Sequence, residues 1–214
     1  EMVVPLAVVQ SVRRLKTDHI LYTGPQGAEG WAHYGLRDVQ GFPWSAGEHG
    51  GMITRVWNRS AMLPMALPDS FQADVVLSSG SQLRFALSFG QASNSAQHMA
   101  IETWDDELVI AQASRFQPLR TLGGDDRVLA LRICWDRKQN RLRVYDWSGA
   151  LMGEFKTEPV SPDKPCVLLR NKGAMLALEH LSIRAWDGGE PARRDSLQGW
   201  IEKLDGSLVQ GKIQ

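Results

Sequence analysis

Apolar and polar residues alternate one by one along most of this chain. Between residues 126 and 188, Leu129, Leu131, Ile133 and Trp135 alternate with Ala130, Arg132 and Cys134. After the polar turn Lys138-Gln139-Asn140 the pattern resumes, with Leu142 and Val144 set against Arg141, Arg143 and Tyr145. A period of two puts successive side chains on opposite faces of a strand, so this stretch predicts a hairpin with one buried and one wet face. Ser148-Gly149 breaks the chain before a strand at residues 151–155. After a Pro-rich loop the pattern returns at 167–169 and 176–183. Upstream, Phe71, Ala73, Val75 and Leu77, then Leu83, Phe85, Leu87 and Phe89, flank Ser79-Gly80 and read as a hairpin with an aromatic inward face. Met99, Ile101 and Thr103 oppose His98, Glu102 and Trp104, followed by a turn at Asp105-Asp106 and a return strand at 108–112. Helical periodicity of useful length is missing, so an all-β fold is expected. Its form is two antiparallel sheets packed face to face, with Phe71, Val75, Phe85, Leu87, Ile101, Leu131, Ile133, Val144 and Leu178 between them.

Residues 2–15 read as a short strand, a proline step and a second strand with Val8 and Val12 apolar, and residues 52–57 as a further strand. Glycines in the loops 23–35 and 41–51 supply backbone freedom rather than a phosphate cradle, because no helix follows to take the phosphate. With 214 residues, 43% of them hydrophobic, the chain can bury a substantial core. Its 24 basic and 24 acidic residues cancel, which removes the positive footprint of a nucleic-acid binder or of a protein drawn to anionic membranes. Apolar runs fall far short of the roughly 20 residues that span a bilayer. The chain opens on Glu1, so it reads as a segment of a longer protein, and the missing leader leaves secretion open. Two cysteines, Cys134 and Cys166, are too few for a disulfide scaffold and lack zinc spacing. Each reads as a small buried hydrophobe in a strand, with a bridge between them as the minority alternative.

The order of segments resembles the concanavalin A-like lectin/glucanase superfamily. The residues that carry the likeness are Gly30-Trp31 closing a loop, Leu67 to Asp69 before the first long strands, Ile101-Glu102-Thr103-Trp104 before a turn, and the closing run from Leu178 to Gly188. Within it, the chain is most similar to laminin-G-like domains of large bacterial envelope or secreted proteins, relatives of the 3-keto-disaccharide hydrolase-like (DUF1080) group. That resemblance implies a jelly-roll sandwich at residues 17–190, an extracytoplasmic setting and a concave face that in many relatives binds sugars. Trp31, Trp44 and Trp186 match positions that close the sandwich. Residues 1–16 and 195–214 look like the end and the start of small β repeats flanking the domain, the latter a hairpin, so the other partners expected are domains of the parent chain.

Catalytic chemistry is weakly represented. A glucanase of this superfamily sets its acids at alternate positions of one strand. Here Glu102 and Asp106 share a parity with Trp104 between them, and carboxylates four residues apart along a strand stand roughly 13 Å apart, too far for either glycosidase geometry. The five histidines show no metal-binding spacing. Calcium is conceivable through Asp105, Asp106, Asp125 and Asp126, which nevertheless lack EF-hand spacing, so no cofactor is expected. What remains is a polar face: Arg84, His98, Glu102, Trp104, Arg132, Arg143 and Tyr145 must point away from the core by parity, with Trp104 as a sugar-stacking platform if they converge. The expected function is a non-catalytic carbohydrate-binding or adhesion module. A ligand-free structural spacer and a glycoside hydrolase are the alternatives.

Overall fold

A computed structural model of the chain describes residues 9–13, 20–34, 43–47, 50–91, 98–159, 165–190, 199–202 and 208–211; for 9–13 and from 199 onward only the backbone course is described. In chain order the strands are β1 (Val9–Arg13), β2 (Ile20–Gly24), β3 (Ala32–Tyr34), β4 (Ser45–Ala46), β5 (Met52–Thr54), β6 (Ser60–Pro64), β7 (Ser70–Ser78), β8 (Phe85–Gln91) and β9 (Met99–Trp104). They continue as β10 (Glu107–Gln112), β11 (Arg115–Thr121), β12 (Val128–Asp136), β13 (Arg141–Asp146), β14 (Leu151–Lys156), β15 (Pro165–Asn171), β16 (Leu176–Ala185), β17 (Gly199–Glu202) and β18 (Leu208–Gly211). Among the described residues no helix is long and apolar enough to cross a membrane.

Two large antiparallel sheets make the sandwich. A seven-stranded sheet runs β11-β10-β9-β8-β15-β6-β3, and an eight-stranded sheet runs β14-β13-β12-β7-β16-β5-β4 with β2 added against β16. The residues expected between the sheets are all there: Phe71, Val75, Phe85, Leu87, Ile101, Leu131, Ile133, Val144 and Leu178 are each at most 1% exposed and belong to one apolar cluster. Phe71 of β7 ties the layers together, its ring centroid 5.4 Å from Phe89 of the opposite sheet and 5.8 Å from Trp135 of its own. A Cβ at Gly153 would stand 2.5 Å from Leu119 Cδ2, so glycine lets edge strand β14 approach edge strand β11 and close one side. Strands β1 and β17 both pair with β18, so the chain segments expected to belong to two neighbouring repeats meet in one three-stranded sheet. Val8 lies outside the described residues.

Several local expectations are corrected. Residues 71–77 and 83–89 do not pair as a hairpin. β7 pairs with β12 and β16, while β8 pairs with β9 and β15 in the other sheet. Alternation shows which face of a strand is buried and is silent about its neighbour, and Ser79-Gly80 carries the chain from one sheet to the other. The strand at 52–57 ends at Thr54, leaving Trp57 on an exposed turn. Trp31 and Trp44 are core residues, whereas Trp186 stays partly exposed and donates its indole N–H to Gly189 O at 2.8 Å.

On the outer face of the eight-stranded sheet a buried ionic network links three neighbouring strands. Asp74 of β7 accepts from Arg132 Nε at 2.6 Å and Nη2 at 3.0 Å, from Arg184 Nη2 at 2.8 Å and from Gln72 Nε2 at 3.0 Å. Arg132 stands directly opposite Asp74 in the register, which makes the two-toothed geometry available without backbone adjustment. Asp74 is 4% exposed and Arg132 6%, so removing the carboxylate would strand desolvated cations. Asp74→Ala should therefore lower the unfolding free energy by about 3–5 kcal/mol. The check is a fall in the urea midpoint at unchanged m-value, and a loss under about 1 kcal/mol would show the network to be solvent-relaxed.

Candidate functional site

The outer face of the seven-stranded sheet carries a trough. Read across the register, its first row is Tyr34 on β3, Ser60 on β6, Arg170 on β15, Ala86 on β8, Glu102 on β9 and Val109 on β10. The next row is Met62, Leu168, Ser88, Ala100, Ala111 and, on the edge strand β11, Phe116. Side chains of Ala86, Ser88, Ala100 and Ala111 are short, so the middle of the sheet lies lower than its flanks. The resulting groove has a volume of about 280 Å³, lined also by Tyr34, Arg170, Glu102, His98 and Gln112.

The walls are held by specific contacts. Glu102 accepts from Lys172 Nζ at 3.1 Å, and the same ammonium donates to Thr103 O at 2.6 Å. Arg170 donates through Nε to Asn58 Oδ1 at 2.7 Å. Gln112 anchors the rim, donating to Glu158 O at 3.2 Å and accepting from Glu158 N at 2.6 Å. A Cβ at Gly90 would stand 2.8 Å from His98 Cδ2 and 3.2 Å from its Cα, so glycine there lets the imidazole lie close against β8.

Of the residues expected on a shared polar face, His98, Glu102, Trp104 and Arg84 do lie on or beside this sheet. His98 and Glu102 line the groove, although His98 is buried rather than exposed. Arg84 precedes β8 and faces Asp105 at 3.8 Å. Trp104 is 40% exposed and packs on Phe116, itself 54% exposed, with ring centroids 4.7 Å apart. Since β10 lies between the strands that carry these rings, the pair bridges over β10, where outward-facing Val109 is only 1% exposed. The Trp104–Phe116 pair thus stands beside the groove and shields an apolar residue of its own sheet.

Arg132, Arg143 and Tyr145 do not join them. They lie on β12 and β13, whose outer face is on the far side of the sandwich, so convergence is ruled out by sheet membership. Arg132 and Tyr145 do point away from the core, as parity requires, yet both are buried. Arg132 is held by Asp74, and Arg143 donates to Glu154 at 3.0 Å. The hydrogen bond from Arg141, joined by that from Arg143, holds Glu154 below the usual carboxylate range. Burial pushes the Tyr145 phenol above its ordinary value, by more than the Arg143 hydrogen bond lowers it.

Tyr34, Ser60, Ser88, Gln112, Arg170 and Phe116 were not singled out from sequence. Their signal was a run of outward positions on β8, β9 and β10 filled by alanine and serine, which becomes a groove only once the strands are known to be neighbours. Trp57, expected within a strand, is 68% exposed and lies next to the Arg170 partner Asn58. Of the acidic turn residues, Asp105 faces Arg84 at 3.8 Å, and Asp126 accepts from Gly123 N at 2.8 Å and faces Arg120 at 3.8 Å. Among the described residues no three His, Cys, Asp or Glu side chains gather to hold a metal ion.

No protein-family model and no curated protein matches the sequence. Solved structures do match in shape. A non-specific endo-β-1,3(4)-glucanase of family GH16, SCLam, superposes with a TM-score of 0.56 at 10% identity, covering 82% of this chain and 94% of that one. Basic winged bean lectin in complex with Tn-antigen gives 0.51 at 10% identity over 79% and 98% of the two chains. Domain 4 of AbnA, a GH43 extracellular arabinanase from Geobacillus stearothermophilus, in complex with arabinotriose, gives 0.50 at 17% identity over 72% and 82%. At such identities the likeness concerns the fold, which is a concanavalin A-like antiparallel β-sandwich.

Cys134 and Cys166 lie on different sheets and are both free and buried. Burial, reinforced by the negative charge of Asp74, pushes the Cys134 thiol up to about 12 despite the nearby cations. The folded-state value lies above the unfolded one, so the folded protein holds this proton more tightly. Its contribution to stability is complete below about pH 9.0, the ordinary thiol value, and is lost as pH rises towards 12. At pH 8 neither thiol of the native protein should react with an aromatic disulfide reagent, and both should react in urea. Rapid stoichiometric labelling of Cys134 in the native state would contradict this.

Proposed function

We propose that this domain is a non-catalytic carbohydrate-binding or adhesion module and that its ligand lies in the groove on the outer face of the seven-stranded sheet. The observation that carries the reading is the trough itself, with a floor of Ala86, Ser88, Ala100 and Ala111 between walls of Tyr34, Arg170 and Glu102. A sugar ring presents apolar C–H faces and a rim of hydroxyls. A shallow floor of methyl groups suits the first, and phenol, guanidinium and carboxylate suit the second. The winged bean lectin and the arabinanase domain, which carry sugars on a similar fold, support the reading.

Hydrolysis is disfavoured by geometry. Glycosidases need two carboxyl groups, about 5–5.5 Å apart to retain or about 6.5–9.5 Å apart to invert configuration. Among the described residues lining the groove Glu102 is the sole carboxylate, and it is ion-paired with Lys172. The finer kinship with laminin-G-like and 3-keto-disaccharide hydrolase-like domains, and an extracytoplasmic place in a larger bacterial protein, belong to this same proposal.

A glycan array identifies the ligand, and two variants then locate it. Ala100 faces away from the core in mid-floor, so Ala100→Trp should fill the groove and weaken binding at least about thirtyfold, roughly 2 kcal/mol, with the unfolding transition unchanged. A hit that binds the Ala100→Trp protein as well as the parent places the site elsewhere, and an array without hits favours the spacer. Trp104→Ala should cost about 2 kcal/mol, again roughly thirtyfold, if the ligand extends onto the Trp104–Phe116 pair. Undiminished binding by that variant would leave the pair as a cover for Val109 alone.

A further inference from the structure

Charge in the groove is unbalanced. Glu102, the carboxylate of its lining, is matched by Lys172 at 3.1 Å, and that ammonium is further committed to Thr103 O at 2.6 Å. Arg170 has no such match. It lies on the outward face of β15 between Ser60 and Ala86, and its partner is the neutral Asn58 side chain, reached through Nε at 2.7 Å. Its two terminal nitrogens meet no carboxylate among the described residues.

The surroundings keep this cation in place. Asn58 takes a left-handed backbone conformation, φ 58°, and its N–H donates to Asn171 O at 2.9 Å. Asn171 in turn donates through Nδ2 to Val56 O at 3.0 Å, pinning the turn to the strand that carries Arg170. A guanidinium braced at Nε keeps its outer edge, the planar fork whose two N–H groups can donate to two oxygens of one anionic group. Ser60, next along the same row, adds a hydroxyl, and Tyr34 follows it.

We infer that the groove selects an acidic glycan, one whose carboxylate or sulfate group is taken by the Arg170 fork beside Ser60 and Tyr34. This rests on the glycan-binding reading and adds to it the chemical class of the ligand. A neutral sugar would leave the charge of Arg170 without a counter-ion in the site. An anionic group supplies it through charge-assisted hydrogen bonds, which are the stronger kind.

The test compares three oligosaccharides of equal length with the full chain by titration calorimetry: an oligouronate, a sulfated chain and a neutral chain. The expected result is an acidic chain bound about tenfold or more tighter than the neutral one, a margin that narrows as salt is raised. In Arg170→Gln the ratio of acidic to neutral affinity should fall towards one, with an unfolding transition matching the parent because the side chain is exposed. Arg170→Lys, which keeps the charge and loses the fork, separates the two anions: a ratio lost for the uronate assigns it to a two-toothed carboxylate, and a ratio kept for the sulfated chain assigns it to sulfate. Equal affinity for neutral and acidic chains, or a preference indifferent to Arg170→Gln, overturns this inference while the glycan reading stands. Failure of all three chains and of every array glycan removes both.

Discussion

Every long strand of the sandwich answers to one demand: half of its side chains must enter a shared dry interior about 10 Å thick. Meeting that demand takes alternation in β7, β8, β9, β12, β13 and β16 at once, and it drives the charged side chains of these strands onto one of two outer faces. Those faces look away from each other across the core, so a ligand can touch one or the other. A residue's position is thus decided twice, first by parity along its strand and then by the sheet its strand joins. Parity is local. Sheet membership depends on partners distant in sequence, as in the contact of Arg132 with Asp74, 58 positions away.

The groove follows from what the seven-stranded sheet places on its outer face once the inner one is satisfied. Outward positions Ala86, Ser88, Ala100 and Ala111 carry methyl and hydroxymethyl groups, and larger side chains surround them: Leu168 and Arg170 on β15, Tyr34 on β3, Glu102 on β9 and Phe116 on β11. The same scarcity of bulk explains Trp104 and Phe116. Val109 would be wetted on a face otherwise low in cover, and two aromatic rings spanning β10 remove it from water at the cost of exposing part of themselves. An exposed tryptophan here has a structural reason to be present before any ligand is considered.

This explains why the sequence was legible in some respects and opaque in others. Core residues such as Phe85, Ile101 and Ile133 could be named because burial tracks alternation within a single strand. Pairing could not, and residues 71–89 looked like a hairpin because two alternating strands flank a Ser-Gly turn whether the chain doubles back in one sheet or crosses to the other. β11 is not legible in the sequence because Pro118 and a register shift opposite Leu108 and Val109 break its pattern. Within the site, Glu102 and Trp104 were visible as polar-face residues of one hairpin. Arg170 was not, because its strand, buried at Cys166, Val167, Leu168 and Leu169, reads as a plain apolar run with one charge near its end.

The two outer faces also treat charge in opposite ways. On the eight-stranded sheet Asp74 gathers Arg132 and Arg184, and Glu154 gathers Arg141 and Arg143. Each carboxylate there crosslinks neighbouring strands, and the ions serve the fold. On the seven-stranded sheet the Glu102–Lys172 pair does the same, while Arg170 is steadied by an amide that leaves its charge intact. The left-handed backbone at position 58 suits asparagine, and its amide braces Nε without neutralising the guanidinium. Among the charged side chains that line the groove, Arg170 is accordingly the one held by a neutral amide instead of an opposite charge among the described residues.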